Sequence, residues 1–189
     1  QEERLRETLA YVAERSAFYK RMFQENNIDV SQINTIEDLQ KLPTTSKQDL
    51  QFFNNDFLCA DPVDVIDYVT TSGTLGNPVT FALTEGDLQR LSYNEASSFS
   101  IAGFKKEDVM QLMTTIDRRF MAGLAYFMGA RELGCGVVRV GNGIPELQWD
   151  TINRVKSTVC MVVPSFLMKM IDFAENNNID YNNSCLKKA

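Results

Sequence analysis

No histidine occurs anywhere in the chain, which removes the usual general base and excludes a Ser-His or Cys-His nucleophilic arrangement built from these residues. Cysteine is sparse. Cys59, Cys135, Cys160 and Cys185 stand far apart with no Cys-x-x-Cys pair, so a zinc site would need all four to converge. Cys135 and Cys160 sit inside apolar runs and are expected to be small core residues, the common fate of a free thiol. No metal site is expected and, in a reducing compartment, no disulfide. Long apolar runs are missing too: nothing approaches the ~20 residues of a spanning helix, and the chain opens on charged residues rather than on a basic segment followed by an apolar one. A soluble, cytoplasmic protein without a membrane partner is expected. Basic residues are in the minority, 19 Lys and Arg against 25 Asp and Glu for a net charge of −6, and they are scattered rather than striped. With no positive field to attract a phosphate backbone, nucleic acid is not an expected partner.

One run carries a chemistry. Residues 70–78 read Thr-Thr-Ser-Gly-Thr-Leu-Gly-Asn-Pro; small side chains there let backbone N–H groups approach an anion, and the hydroxyls can donate to non-bridging phosphate oxygens. The run suits a polyphosphate. It is not a Walker A loop, because the position five after Gly73 is Pro78 and no lysine follows. The same residue types also suit an ordinary turn between strands. What a generic turn does not need is their order, with hydroxyls ahead of the first glycine and Gly-x-Pro at the end.

Along the chain, Leu5, Leu9, Val12, Ser16, Tyr19 and Phe23 recur at helical spacing, predicting one amphipathic helix over the first two dozen residues. Its polar face balances Glu2, Glu3, Glu7 and Glu14 against Arg4, Arg6 and Arg15, which suits packing on the domain or on a neighbouring subunit, as in a homodimer, better than a membrane surface. Thr35 with Asp38, and Ser46 with Asp49, fit helix N-cap boxes with short helices behind them. Residues 68–70 read as a strand leading into the loop and 79–83 as the strand leaving it. Thr84, with Asp87 three residues on, is expected to cap a helix running to about Ser100. From Asp108 onward, strands at 109–113, 136–140 and 159–163 alternate with helices at 120–133, 146–156 and 165–176, the pattern of parallel crossover units. The predicted class is α/β, a parallel or mixed sheet with flanking helices, divided into an N-terminal helical region at 1–60 and an α/β nucleotide-binding subdomain at 61–189.

The 70–78 run resembles the phosphate-binding loop of the adenylate-forming enzymes, whose pattern is Thr/Ser-Ser-Gly-Thr-Thr-Gly-x-Pro. Other stretches narrow the likeness to the phenylacetate–CoA ligase family. Residues 16–21, Ser-Ala-Phe-Tyr-Lys-Arg, are similar to its Ser-Pro-Phe-Tyr-Arg opening, and 42–50 to its Pro-x-Thr-Thr-Lys-x-Asp-Leu segment. Residues 129–135, Gly-Ala-Arg-Glu-Leu-Gly-Cys, and 162–167, Val-Val-Pro-Ser-Phe-Leu, are similar to two later family segments. The likeness covers nearly the whole chain in order. Members are about twice as long or more, so it implies the N-terminal portion of the ligase large domain, with its catalytic, metal-binding and ribose-binding positions expected after Ala189.

The resemblance implies ATP, Mg²⁺ and coenzyme A as cofactors and a small-molecule carboxylic acid as substrate. The acid would be adenylated and its acyl group passed to coenzyme A; a different acceptor, or a non-catalytic nucleotide-responsive or oligomerising module of the same fold, stays open. Phosphate contact falls to Thr71, Ser72, Gly73, Thr74, Gly76 and Asn77. Leu75 replaces the usual second threonine, and Val79 stands where many adenylate-forming enzymes carry a lysine. On the acyl side the resemblance implies Thr115, Asp117, Phe120, Pro164 and Ser165. Where the family has a Tyr-Gly-Tyr-Gly-Leu-Phe run, this chain has Thr114-Thr115-Ile116-Asp117-Arg118-Arg119-Phe120. Either Asp117 caps the next helix with both arginines in water, or the charges recognise a polar or charged acid.

Overall fold

In the computed structural model, which describes residues 1–71 and 77–189, the single N-terminal helix expected from the apolar stripe is two helices, α1 (Glu2–Arg15) and α2 (Ala17–Glu25). Ser16 is the break. It is fully buried and extended, its hydroxyl accepting from Tyr19 N at 3.2 Å and donating to the Asp56 carbonyl at 2.8 Å. Serine is a good N-cap because its oxygen satisfies an otherwise orphaned helical N–H. The stripe resumes in register beyond it, so periodicity alone runs straight through the break.

The described residues form two compact units, Gln1–Thr84 and Glu85–Ala189. In the first, Leu9, Phe23 and Ile33 make the core, with Leu5, Val12 and Tyr19 against it. Both predicted pairs exchange hydrogen bonds, but only Ser46 is a helix N-cap; the helix after Thr35 has Ile36 as its N-cap, without a side-chain cap bond. Thr35 and Asp38 exchange bonds, Thr35 N to the Asp38 carboxylate at 3.0 Å and Asp38 N to the Thr35 hydroxyl at 3.3 Å, at a 3-10 helix over Glu37–Lys41. Ser46 and Asp49 do the same at α3 (Lys47–Phe52). The unit ends in an antiparallel pair, β1 (Val65–Thr70) and β2 (Thr80–Thr84), with Thr70 opposite Thr80.

The second unit runs α4 (Glu85–Ile101), β3 (Val109–Leu112), α5 (Met121–Leu133), β4 (Gly136–Arg139), α6 (Pro145–Val155), β5 (Val159–Met161) and α7 (Pro164–Asn176). The strands are parallel in the order β4-β3-β5, as the alternation of apolar strands and helices predicts. Alternate side chains point to opposite faces of a strand. Met110, Leu112 and Val159 accordingly pack with Phe99 of α4, Ala130 of α5 and Phe104 of the connection between α4 and β3. Met113 and Cys160 pack with Trp149, Ile152 and Met170 of α6 and α7. Helices therefore cover both faces. Cys135 and Cys160 are buried, and burial pushes the Cys160 thiol up to about 11.

Beyond α7 the chain returns alongside β5, Lys187 N donating to the Thr158 carbonyl at 2.7 Å and Cys160 N to the Lys188 carbonyl at 3.0 Å. The Lys188 ammonium donates to the Ala102 carbonyl at 3.2 Å and to that of Gly103, just past the C-terminus of α4, where a cation is favoured. Among the described residues no helix is long and apolar enough to cross a membrane.

Candidate functional site

Of the six expected phosphate contacts, Ser72, Gly73, Thr74 and Gly76 lie outside the described residues. Thr71 and Asn77 flank them, and both are tied down. Thr71 N donates to the Val79 carbonyl and Val79 N to the Thr71 hydroxyl, each at 3.0 Å, so the β1–β2 ladder continues past its last strand pair to the edge of the run. As an acceptor, that hydroxyl keeps its own proton to donate. The outgoing limb is braced by amides 26 residues upstream: Asn54 donates to the Thr80 carbonyl at 2.8 Å and accepts from Thr80 N at 3.0 Å, and Gln51 donates to the Asn77 carbonyl at 2.6 Å. Asn54 thus mimics a neighbouring strand. No periodicity or motif singles out either amide in the sequence.

In the second unit, β3 and β5 are adjacent and the ladder runs on beyond them, Met113 N donating to the Met161 carbonyl at 2.9 Å. The chain leaving β3 rises to α5 on one face of the sheet, whereas the chains leaving β4 and β5 go to α6 and α7 on the other. In open α/β sheets such a divergence opens a crevice at the C-terminal strand ends. The five residues expected on the acyl side fall into two groups at that end of the sheet, Thr115, Asp117 and Phe120 after β3 and Pro164 and Ser165 after β5. Pro164 opens α7, where its missing N–H is harmless.

Asp117 does not cap α5. The N-cap is Phe120, with no side-chain cap bond, and the Asp117 carboxylate accepts instead from the Thr115 hydroxyl. Arg118 and Arg119 follow, exposed and both left-handed, with φ of 60° and 61°, a conformation unfavourable for non-glycine residues. The Thr114 hydroxyl is buried without a hydrogen-bond partner, and burying such a group unpaired is costly. Among the described residues no group of three or more His, Cys, Asp or Glu is placed to hold a metal ion.

A polar network lies beneath these loops. Gln111, in the middle of β3, donates to the Gln148 side-chain oxygen at 2.7 Å and to its carbonyl at 3.1 Å, and accepts from the Ser157 hydroxyl at 2.8 Å. The Gln148 amide donates to the Gly141 carbonyl at 2.8 Å and to the Gly143 carbonyl at 3.2 Å. Sequence reading passes over these residues, although a glutamine inside the apolar run 109–113 is the signal that could have found them.

No protein-family profile matches the chain. Among curated proteins, the phenylacetate-coenzyme A ligase of Thermus thermophilus is 32% identical over 173 residues, 91% of this chain and 39% of the relative. That of Pseudomonas putida is 29% identical over 179 residues, 94% of this chain and 40% of the relative. The crystal structure of a 2-hydroxyisobutyryl-CoA ligase in complex with 2-HIB-AMP and CoA superposes with a TM-score of 0.88 at 22% identity, covering 100% of this chain and 42% of that one. The architecture is that of the N-terminal part of the adenylate-forming ligase fold. By sequence the chain is similar to phenylacetate-coenzyme A ligases over nearly all of its own length. It spans about two fifths of the length of the curated relatives it matches.

Proposed function

We propose that the chain is the part of an AMP-forming acid–coenzyme A ligase that carries the polyphosphate loop and the loops of the acyl crevice. The observation that carries this reading is the 32% identity to a phenylacetate-CoA ligase over 91% of the chain, joined to the Thr-Ser-Gly-Thr-Leu-Gly-Asn-Pro run that the sequence places between β1 and β2. In the reaction, a carboxylate oxygen attacks the α-phosphorus of ATP and the bond to the bridging oxygen breaks, releasing pyrophosphate. The thiol of coenzyme A then takes the acyl group, and AMP leaves.

A carboxylate is already ionised at neutral pH, so the first step needs alignment and charge neutralisation rather than a general base. A chain without histidine is suited to that. Thr71, Ser72, Gly73, Thr74, Gly76 and Asn77 would supply amide and hydroxyl donors in place of phosphate hydration. ATP, Mg²⁺ and coenzyme A are the cofactors the reading requires; the described residues offer no acidic cluster for Mg²⁺, and they are assigned no part in holding it. Thr115, Asp117, Phe120, Pro164 and Ser165 would face the acid. The charges at 117–119 favour an acid with a second charged or strongly polar group, since an unpaired charge facing an apolar ring is costly.

Titration calorimetry of the full-length protein with ATP tests the loop assignment. Gly73→Val places a β-branched side chain where the backbone must approach phosphate and is expected to abolish measurable ATP binding. Unchanged affinity would remove the assignment.

A further inference from the structure

Gln111 and Gln148 are fully buried, yet they carry amides between a sheet and a helix whose other facing residues, Met113, Trp149 and Ile152, are apolar. Stability alone does not account for them, because replacing both partners of a buried hydrogen-bonded pair by apolar groups of the same shape is often neutral or stabilising. What an apolar pair could not do is hold the turn after β4. A single Gln148 amide binds the carbonyls of both Gly141 and Gly143, whose φ values are 79° and 84°, and Ile144 follows at 50°. Gln111 in turn fixes the Gln148 side chain from the centre of β3, and Ser157 fixes Gln111.

The glycines are not there for close packing, since a β-carbon on either would meet nothing within 4 Å. They permit the left-handed backbone that turns both carbonyls onto Gln148, and they leave the outer side of the turn open. The turn also adjoins the acyl-side segment. Val140 N and Gly141 N both donate to the Leu112 carbonyl, at 3.2 and 3.1 Å, and Leu112 stands three residues before Thr115.

We propose that Gln148, held by Gln111, is a positioning residue that fixes the Gly141–Gly143 turn as a wall of the crevice at the C-terminal ends of β3 and β4, and that this turn sets affinity for the acid substrate. The second half rests on the ligase function proposed above. Neither glutamine touches the acid; both act through the turn.

Gln148→Met, similar in length and without the amide, tests this in the full-length protein. Amide hydrogen exchange at Val140 and Gly141, whose N–H groups bond the Leu112 carbonyl, is expected to accelerate. In acid-dependent pyrophosphate release over phenylacetate, benzoate, 2-hydroxyisobutyrate and 4-hydroxyphenylacetate, the KM for the acid is expected to rise about 10- to 100-fold, with the KM for ATP unchanged. Gln111→Met, which removes the tether but keeps the bonds to the turn, should give a smaller change of the same kind, and it decides the matter where Gln148→Met fails to fold. Unaltered exchange in both variants overturns the proposal, as does faster exchange with the acid KM unmoved, the behaviour of a merely structural network. Absence of pyrophosphate release by the unmodified protein on every acid defeats the ligase reading instead, while the exchange data still decide whether Gln148 holds the turn.

Discussion

A β-carbon on Gly123 would stand 1.7 Å from the carbonyl oxygen of Thr115. The segment leaving β3 therefore lies directly on the first turn of α5 because that helix position is bare. A side chain there must displace backbone rather than the tip of a flexible group, since the Thr115 carbonyl carbon and Ile116 Cα would also lie within 2.7 and 3.1 Å. Gly123→Ala is expected to lower stability by about 1–3 kcal/mol, the usual range for overpacking. It should also raise the KM for the acid without changing that for ATP. Thermal unfolding and pyrophosphate-release kinetics check both, and an alanine variant as stable as the parent would contradict the contact.

At the β1–β2 hairpin, Thr71→Val removes the acceptor for Val79 N, a residue only 1% exposed. A buried donor left unpaired costs about 1–3 kcal/mol. Thr71→Ser keeps the oxygen and should be close to the parent. Denaturant unfolding of the two variants separates them, and calorimetry should show weaker ATP binding for valine alone.

Asp108 gives a pH signature. Burial works to raise its pKa, but the Thr158 hydroxyl at 2.8 Å, the Lys105 N–H at 2.9 Å and the nearby charges of Lys187 and Lys188 together hold it below the ordinary value. A carboxyl depressed in the folded state contributes stability that is complete above its unfolded pKa, near 4, and is lost as pH falls through the lower folded value. Asp108→Asn should therefore be less stable at neutral pH, with the gap to the parent closing below about pH 4. Unfolding midpoints taken from about pH 3 to about pH 7 test this, and a gap that widens in acid would reverse the assignment.

The parallel unit was legible because its strands and helices differ in period and length, and the structure places each within a few residues of the sequence reading. Cap chemistry was legible where both partners lie three residues apart, as in Ser46 and Asp49. What escaped depends on distance along the chain. Ser16 ends a helix by bonding to Asp56, Asn54 braces Thr80, and Gln111 meets Gln148; none of these pairs leaves a local pattern. The Asp117 cap failed for a related reason, because an acid ahead of a helix is read as its cap while the hydroxyl at Thr115 competes for the same carboxylate.

The two left-handed arginines predict a trade between stability and recognition. Arg118→Gly relieves a backbone conformation that disfavours side chains and should stabilise the protein by about 1 kcal/mol. If the guanidinium meets the acid, the same variant should lose efficiency tens- to hundreds-fold on charged or strongly polar acids, equivalent to about 2–3 kcal/mol. Asp117→Ala should leave helix stability within about 0.5 kcal/mol, since it caps nothing. Steady-state kinetics beside thermal unfolding check the set, and a silent Arg118→Gly in turnover would place the arginine in solvent.

Product analysis of the full-length protein with ATP, Mg²⁺, coenzyme A and the four-acid panel tests the central claim most directly. The account predicts AMP, pyrophosphate and acyl-CoA in equal amounts, strictly dependent on the acid, with 4-hydroxyphenylacetate used better than phenylacetate. Formation of ADP, or no acid-dependent pyrophosphate from any of the four, would contradict it.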